Sequence, residues 1–227
     1  MNLRYILFVM IGCCLASCNW GSSGDDKPAI TTDTLQFIYK HVKERTAAGS
    51  TMDVSYPIFK NQHILNDSLK GYLNSQQAAG NGDLHAVVLR QDSSLTIIEI
   101  NEVSVEAGKS AKNTATHFIN WNTKKSKSIK LNDILIDQYS DQLNKIAETI
   151  FRGNEKLTAT ASLNGYSFKG GQFALNNNFL ITPIGLKFLY NNGEAKPTSY
   201  GPVVLFIPYS QILNLLRPNT VVTQYHK

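Results

Sequence analysis

The sequence predicts an α+β fold in which a mainly antiparallel sheet is packed by two or three helices, divided between two small subdomains. Short segments with alternating apolar and polar residues outnumber the segments with helical periodicity, which favours strands. No strand–helix–strand rhythm repeats along the chain, which disfavours a parallel sheet built with crossover helices. We therefore expect an N-terminal α+β subdomain at residues 33–110 and a C-terminal α+β subdomain at residues 111–227.

The N-terminus is typical of an export signal. Arg4 gives the start a positive charge, and the apolar run at residues 5–16 is shorter than the ~20 residues that span a bilayer. Small residues follow the apolar run, as they do before a cleavage site. We therefore expect residues 1–17 to be a lipoprotein signal peptide rather than a transmembrane anchor.

The end of this segment resembles a bacterial lipobox. Leu15, Ala16, Ser17 and Cys18 match the pattern after which the leader is cut and the new N-terminal cysteine is acylated. The resemblance implies that Cys18 is lipidated, and several acyl chains on one residue hold a domain stably at a membrane. The polar, glycine- and serine-containing composition of residues 18–32 predicts a flexible tether after the lipid.

The cysteine content limits the chemistry of the mature chain. The chain has three cysteines, Cys13, Cys14 and Cys18, and the first two leave with the predicted signal peptide. A chain whose remaining cysteine is lipidated forms no disulfide, thiolate metal site or cysteine nucleophile. Loss of Arg4 lowers the formal net charge from +5 to about +4, and this small excess indicates no nucleic-acid partner.

The N-terminal subdomain begins with two predicted strands and a helix. Apolar and polar residues alternate at residues 35–39 and 52–56, and a glycine among small residues at 47–50 indicates a turn that pairs them. Asn66 is a favourable cap for a following helix whose apolar side includes Leu69.

Three more strands are expected before residue 122. The first two lie at residues 84–89 and 95–105, and a third lies at residues 117–121. Within the second, the apolar positions change phase between Ile100 and Val103. This change predicts a β-bulge or a bend at that point.

The clearest helix is predicted in the C-terminal subdomain. A lysine-rich turn at residues 122–127 precedes Asn132, a favourable helix cap, and a core stripe then runs from Leu135 to Ile150. Gly153 is expected to end this helix.

The rest of the C-terminal subdomain is predicted to be mostly strand. A polar interval at residues 154–178 separates the helix from it. Strands are expected at residues 179–182, 186–190 and 203–207, followed by a short helix at residues 209–216.

Three aspartates lie on the predicted long helix. Asp133, Asp137 and Asp141 recur every four residues, so a continuous helix places them on one stripe. The stripe is either a solvated face, with an aspartate near the positive end of the helix, or an acidic patch for a basic protein.

Three lysines of the preceding turn form a cluster of opposite charge. Lys124, Lys125 and Lys127 are either ordinary residues of a hairpin turn or contacts to anionic lipid headgroups or wall polymer. Together with the three aspartates they form the candidate binding surface.

No sequence motif indicates a catalytic class. The chain has no Gly-x-Ser-x-Gly elbow, no His-Glu-x-x-His helix, no phosphate-cradling glycine loop and no Cys-x-x-Cys pair. The five histidines are scattered without metal-ligand spacing. We expect a protein that is not an enzyme and that holds no cofactor or metal.

Four stretches resemble one family of extracytoplasmic domains. FLITPIGLKFLYNNGEAKPTSYGPVVLFIPYSQILNLL, residues 179–216, resembles the C-terminal domain shared by RsiV-type lysozyme-sensing anti-sigma factors and PdaC-type peptidoglycan deacetylases. HFINWNTKKSKSIKLNDIL, residues 117–135, is similar to the strand, turn and helix start upstream in that domain. VSYPIF and ILNDSL, residues 54–59 and 64–69, resemble parts of its N-terminal partner domain. The deacetylase catalytic domain, the transmembrane helix and the sigma-binding segment of these relatives have no counterpart here.

Leader and resemblance together predict a membrane-anchored envelope lipoprotein with a non-enzymatic ligand-binding domain. Its partners would be the membrane, through the N-terminal lipid, and either a cell-wall glycan or an exported protein. The expected location is the bacterial cell envelope, on the periplasmic or outer-membrane face. Two alternatives stay open: a lysozyme-binding or lysozyme-inhibiting lipoprotein, and a peptidoglycan-modifying enzyme with an unrecognised site.

Overall fold

The computed structural model describes residues 34–45, 51–78, 82–105 and 112–225. All of them belong to one compact unit, Thr31–Lys227; the predicted signal peptide, Cys18 and the predicted tether lie outside the described residues. The described part of the chain has an α+β fold with nine strands in two sheets and three α-helices, which confirms the predicted fold class. None of these helices is both long enough and apolar enough to cross a membrane.

The first sheet contains six strands in sequential order. They are β1 (Phe37–Arg45), β2 (Thr51–Phe59), β3 (Asp83–Gln91), β4 (Leu95–Val105), β5 (Lys112–Asn122) and β6 (Lys127–Ser128). Every neighbouring pair is antiparallel except β2 and β3, which run parallel because helix α1 (His63–Ala78) connects them as a crossover. The pairing of β4 with β5 carries the sheet across the subdomain boundary predicted at residues 110 and 111.

Helix α1 packs its apolar side against the first sheet. Leu65, Leu69 and Leu73 recur every four residues and are buried in the N-terminal core. The prediction that Asn66 caps this helix is wrong, because α1 begins at His63. The Asn66 side chain instead accepts a hydrogen bond from the Phe59 N–H at 2.9 Å and donates one to the Phe59 carbonyl at 2.8 Å, which joins α1 to the end of β2.

Strand β4 has no bulge at the predicted point. Its register with β5 is unbroken, and the irregularity lies in β3, where Leu89 is an extra residue between Val88 and Arg90. Near its start the strand is apolar on both sides: Ile98 lies in the N-terminal core under α1, whereas Ile97 lies in the C-terminal core. Both faces of this strand are therefore buried near its start.

The second sheet is formed by β7 (Phe179–Ile181), β8 (Gly185–Tyr190) and β9 (Val203–Pro208), all antiparallel. Gly185 lies so close to β9 that a Cβ atom would approach the Ile207 carbonyl oxygen to 2.3 Å, which explains why a residue without a side chain stands there. The short helix predicted at residues 209–216 is instead two 3₁₀ turns, Tyr209–Gln211 and Leu213–Leu215.

Asparagine side chains join the two sheets. Asn120 of β5 donates to the Phe179 carbonyl at 2.7 Å and accepts from the Ile181 N–H at 3.0 Å. Asn178 and Asn191 accept hydrogen bonds from backbone N–H groups of β5, at Phe118 and Thr116. These side chains satisfy part of the β5 edge that β6 is too short to cover.

The predicted long helix is interrupted. Helix α2 spans only Leu131–Ile134, and helix α3 begins at Ser140 and ends at Asn154. Leu135 is extended and forms an isolated antiparallel bridge with Leu216, and the Ile136 N–H donates to the Leu215 carbonyl at 2.8 Å. This pairing replaces the helical hydrogen bonds that a continuous helix needs at this point.

The cap predicted for that helix is wrong as well. Lys130, not Asn132, is the N-cap of α2, and the Asp133 carboxylate accepts the Lys130 N–H at 2.9 Å.

Two hydrophobic cores result. The N-terminal core lies between α1 and the first sheet and includes Trp121 of β5. The C-terminal core lies between α3 and the second sheet and contains Leu143, Phe151, Phe188 and Leu205, together with the first residues of β4.

Candidate functional site

A cleft of about 370 Å³ lies beside the turn between β5 and β6. Its walls are the turn, the end of α2 and residues 219–224 of the C-terminal segment, which spans residues 219–225. Lys124, Lys125 and Lys127 line it from one side, and Asn219 and Gln224 line it from the C-terminal segment. Three of the predicted basic side chains therefore share one concave site.

The lysine turn is held by hydrogen bonds from its own polar residues. The Asn122 side chain accepts the Lys125 N–H at 2.9 Å, and Thr123 binds the β3–β4 turn through its N–H to the Ser94 carbonyl and its hydroxyl to the Ser93 carbonyl, both at 3.1 Å. Ser126 adopts a left-handed backbone with φ of 48°. These contacts fix the backbone from which the lysines project.

Asp133 pairs with one of the three lysines. Its Oδ1 accepts a hydrogen bond from Lys127 Nζ, while its Oδ2 accepts the Lys130 N–H. Partial burial raises the pKa of the Asp133 carboxyl, but the hydrogen bonds from Lys127 and Lys130 outweigh burial and hold this pKa below its usual value. Asp133 is therefore ionised at neutral pH and neutralises Lys127.

Two buried valines anchor the C-terminal segment to the C-terminal core. Val221 and Val222 are buried in the C-terminal core, so the polar residues before and after them face outward. The Thr220 N–H donates to Thr223 Oγ1 at 2.9 Å, and the Thr223 N–H donates to the Thr220 carbonyl at 3.1 Å. This short turn gives the second wall of the cleft a defined backbone.

Asp92 connects that wall to the β3–β4 turn. Its Oδ1 accepts the N–H groups of Ser94 and Leu95, each at 2.9 Å, and its Oδ2 accepts the Tyr225 hydroxyl at 2.8 Å. Arg90 donates to Tyr225, pairs with Asp92 at 3.1 Å, and lies over the Tyr225 ring at 4.9 Å from its centre. The first sheet and the C-terminal segment are thus joined at one carboxylate.

The protonation states of this group follow from its contacts. Burial opposes ionisation of Asp92, but the hydrogen bonds from Ser94, Tyr225 and Leu95 and the charge of Arg90 hold its pKa below the usual value. Burial and the hydrogen bond to Asp92 raise the pKa of Tyr225 to about 12. The phenol therefore remains a donor to an ionised carboxylate at neutral pH.

The predicted acidic stripe does not exist, because the helix that would carry it is interrupted. Asp133 lies in the cleft with the lysines. Asp137 precedes α3 and pairs with Arg217 at 2.8 Å, and its side chain is 92% exposed. Asp141 lies in the first turn of α3, on the wall of a separate open depression.

Sequence reasoning missed the residues of the second wall and its anchor. Asp92 stands between two predicted strands, where a turn residue is ordinary, and nothing local points to its bond with Tyr225, 133 residues away. The signal in the sequence is the pair of adjacent apolar residues Val221 and Val222, which the structure shows to be buried in the core.

This arrangement is suited to binding. Lysine ammonium groups on one wall attract anions, and the amides of the other wall form hydrogen bonds with hydroxyl groups. Within the described ranges, no group of three histidine, cysteine, aspartate or glutamate side chains is arranged to hold a metal ion.

Comparisons with known proteins identify a domain and a fold. Residues 132–210 match the family described as "Protein of unknown function (DUF3298)". The matched range includes Asp133 and the second sheet, whereas the lysine turn lies before it. No curated protein matches the chain.

The solved structures that are similar to this chain include two DUF3298 family proteins. A member of the DUF3298 family from Bacteroides fragilis has a TM-score of 0.63 and 18% identity, over 84% of this chain and 97% of that chain. A DUF3298 family protein from Pseudomonas aeruginosa has a TM-score of 0.61 and 18% identity, over 81% of this chain and 96% of that chain. At this identity the similarity shows the fold alone.

Proposed function

We propose that this chain is a membrane-anchored envelope lipoprotein whose α+β domain binds a cell-wall glycan, without catalysis, in the cleft beside the lysine turn. The lipobox at residues 15–18 supports the anchor through Cys18 and an exported location. The resemblance to the extracytoplasmic domain of RsiV-type and PdaC-type proteins supports a role at the cell wall.

One observation carries the binding function: the cleft combines three lysines with amide and hydroxyl side chains around about 370 Å³. That volume lies in the range of small-molecule sites, roughly 300–1,000 Å³, and accommodates one or two sugar rings rather than a protein surface. Asn122 and Thr123 hold the lysine wall, and Asp92 holds the C-terminal wall, so the site exists before the ligand arrives.

A cell-wall glycan accounts for the site better than lysozyme does. Lysozyme binding requires an acidic surface that attracts a basic protein, and Asp133, Asp137 and Asp141 are dispersed and partly paired with basic side chains. The cleft itself carries more positive than negative side chains, which repel a basic partner.

Cosedimentation with purified peptidoglycan tests the proposal. We expect the full chain, purified in a non-ionic detergent, to sediment with insoluble peptidoglycan, and we expect muropeptide masses to remain unchanged after incubation. The variant Lys124→Glu/Lys125→Glu should lose most of the sedimented fraction, because it replaces two attractive charges by two repulsive ones. Lys70→Glu/Lys145→Glu is the matched control, with the same charge change on exposed helical residues outside the cleft.

Three results would contradict the proposal. They are no cosedimentation of the unmodified chain, equal loss of binding in the control variant, and a stoichiometric complex with lysozyme in place of glycan binding. Altered muropeptide masses would indicate an enzyme instead.

A further inference from the structure

We infer that the cleft recognises an anionic substituent of its glycan, a carboxylate or a phosphate, and that Lys124 and Lys125 bind it while Asp133 neutralises Lys127. This inference rests on the proposed function, since it names the chemistry of the ligand at the same cleft.

The three lysines are not equivalent. Lys127 forms an ion pair with Asp133, and Asp133 also accepts the Lys130 N–H, so this pair belongs to the fold of the turn and α2. Lys124 and Lys125 are exposed, and no ion pair joins either of them to another described residue. Both ammonium groups are therefore available to a ligand, although the charge of Lys125 also acts on Asp133.

Hydrogen bonds fix the backbone of the turn that carries these two lysines. The Asn122 side chain binds the Lys125 N–H, Thr123 binds the β3–β4 turn, and Asn122 also pairs with Lys127 across the β5–β6 hairpin. A rigid turn lowers the entropy that is lost when adjacent side chains converge on one anion. Neighbouring ammonium groups repel each other, and an anion between them relieves this repulsion.

The opposite wall has a different chemistry. Asn219 and Gln224 present amide groups from the C-terminal segment. Gln224 Nε2 donates to Asp92 Oδ2 at 3.3 Å, which leaves its second N–H and its oxygen for sugar hydroxyls. A ligand that matches both walls carries a negative charge on one side and hydroxyl groups on the other. An anionic glycan has this combination, whereas a neutral glycan leaves the two lysines without a partner.

A nucleic acid fits this cleft less well. None of the described residues that line it is aromatic, so an unpaired base finds no ring on which to stack. A sugar polymer is therefore a better match to this cleft than a single-stranded nucleic acid.

Calorimetric titration of the full chain in non-ionic detergent tests the inference with four probes. Oligogalacturonate supplies carboxylates on a glycan, phosphomannan supplies phosphates on a glycan, chitooligosaccharide is a neutral glycan, and glycerophosphoglycerol represents a lipid headgroup. We expect binding of at least one of the two anionic polymers, weaker or no binding of the other two probes, and a loss of affinity with added salt because salt screens exposed charges.

Three variants distinguish side chains that contact the ligand from side chains that act through the structure of the site. Lys124→Gln/Lys125→Gln should weaken binding about five-fold, since an exposed charge pair contributes roughly 0.5 kcal/mol and two are lost. Asp133→Asn should strengthen binding about two-fold, because it frees Lys127 and asparagine is still a good cap acceptor. Lys70→Gln/Lys145→Gln should leave the affinity unchanged, and thermal unfolding of each variant checks that it is folded.

The outcomes distinguish a failure of the inferred ligand chemistry from a failure of the proposed glycan binding. Binding of chitooligosaccharide with no binding of either anionic polymer overturns the inference and leaves glycan binding intact. No binding of any polymer overturns both. Binding of glycerophosphoglycerol as tightly as the polymers overturns the assignment to a glycan. Weaker binding by Asp133→Asn, with the fold intact, contradicts the proposed division of roles among the three lysines.

Discussion

Tyr72 places a hydroxyl group between α1 and the first sheet, where it is buried and has no hydrogen-bond partner among the described residues. Its ring packs at 5.7 Å from that of His117 on β5. Burial and the nearby charge of Glu102 raise the pKa of Tyr72, so the phenol is neutral across the physiological range. An unpaired buried hydroxyl lowers stability, whereas the ring around it contributes hydrophobic packing.

Removal of that hydroxyl should therefore not lower the free energy of unfolding. We expect Tyr72→Phe to raise the free energy of unfolding by up to about 1 kcal/mol, because phenylalanine keeps the ring and removes the unpaired polar atom. Urea denaturation measures this change. The matched control is Tyr190→Phe, since the Tyr190 hydroxyl donates to the Ala174 carbonyl at 2.8 Å, and its loss should lower stability by about 1 kcal/mol. Equal destabilisation by both variants would contradict the argument.

At the scale of the elements, contacts between residues that are distant in sequence determine where the predicted long helix is interrupted and where the C-terminal segment lies. Leu135 is close to good helical sequence on both sides, yet it pairs with Leu216, and Arg217 donates to its carbonyl at 3.1 Å. The C-terminal segment is held in the same way, by the bonds from Tyr225 to Asp92. These long-range contacts position both Asp133 and the second wall of the cleft.

Asp92 should make the C-terminal segment sensitive to acid. We expect Asp92→Asn to lower the free energy of unfolding at pH 7 by about 1 kcal/mol, because an ionised acceptor of several hydrogen bonds is lost. The folded-state pKa of Asp92 is depressed, so its contribution is present above the unfolded pKa of about 3.9 and is lost as the pH falls through the lower folded value. The difference between variant and unmodified chain should shrink below about pH 4.

Hydrogen exchange gives a second measurement of the same variant. Amides of the C-terminal segment should exchange faster in Asp92→Asn than in the unmodified chain, since the segment is released from the β3–β4 turn. Asp137→Asn is the control, because Asp137 is an exposed partner of Arg217 and its change should alter stability by less than about 0.5 kcal/mol. A larger effect at Asp137 than at Asp92 would contradict this account.

At the scale of the whole molecule, strand β4 links the two cores. Ile98 lies in the N-terminal core and Ile97 in the C-terminal core, so neighbouring residues of one strand stabilise both. The asparagines at the β5 edge add hydrogen bonds between the sheets. The described residues contain no cysteine, so this construction stabilises them without a disulfide.

The proposed anchor is a property of the full chain and has a direct test. We expect labelled palmitate to enter the full chain in bacterial cells and the chain to fractionate with membranes, because Cys18 would carry the acyl groups. Cys18→Ser should abolish the label and leave an uncut leader. Cys14→Ser, within the predicted signal peptide, should change neither result. An unlabelled, uncut chain in the cytosol would remove the lipoprotein proposal and the envelope role with it.

Local pattern was sufficient for most strands and for the lysine turn. Alternating apolar residues predicted β2, β4 and β8 because side chains of a strand point alternately to its two faces, a rule that depends on neighbours two positions apart. The cluster of Lys124, Lys125 and Lys127 could be found for the same reason, since a turn keeps residues that are close in sequence close in space.

What the sequence by itself determined is the α+β class, the order of the strands along the chain and the lysine turn, all of which follow from short-range periodicity and turn composition. Only the tertiary structure decided that the helix predicted from Asn132 to Gly153 is interrupted at Leu135, that the three aspartates are dispersed, and that Asp92 holds Tyr225 to complete the cleft. The physical reason is that hydrogen bonds between residues about 80 to 130 positions apart compete with local helical bonds, and no local pattern records which distant carbonyl or carboxylate will be the partner.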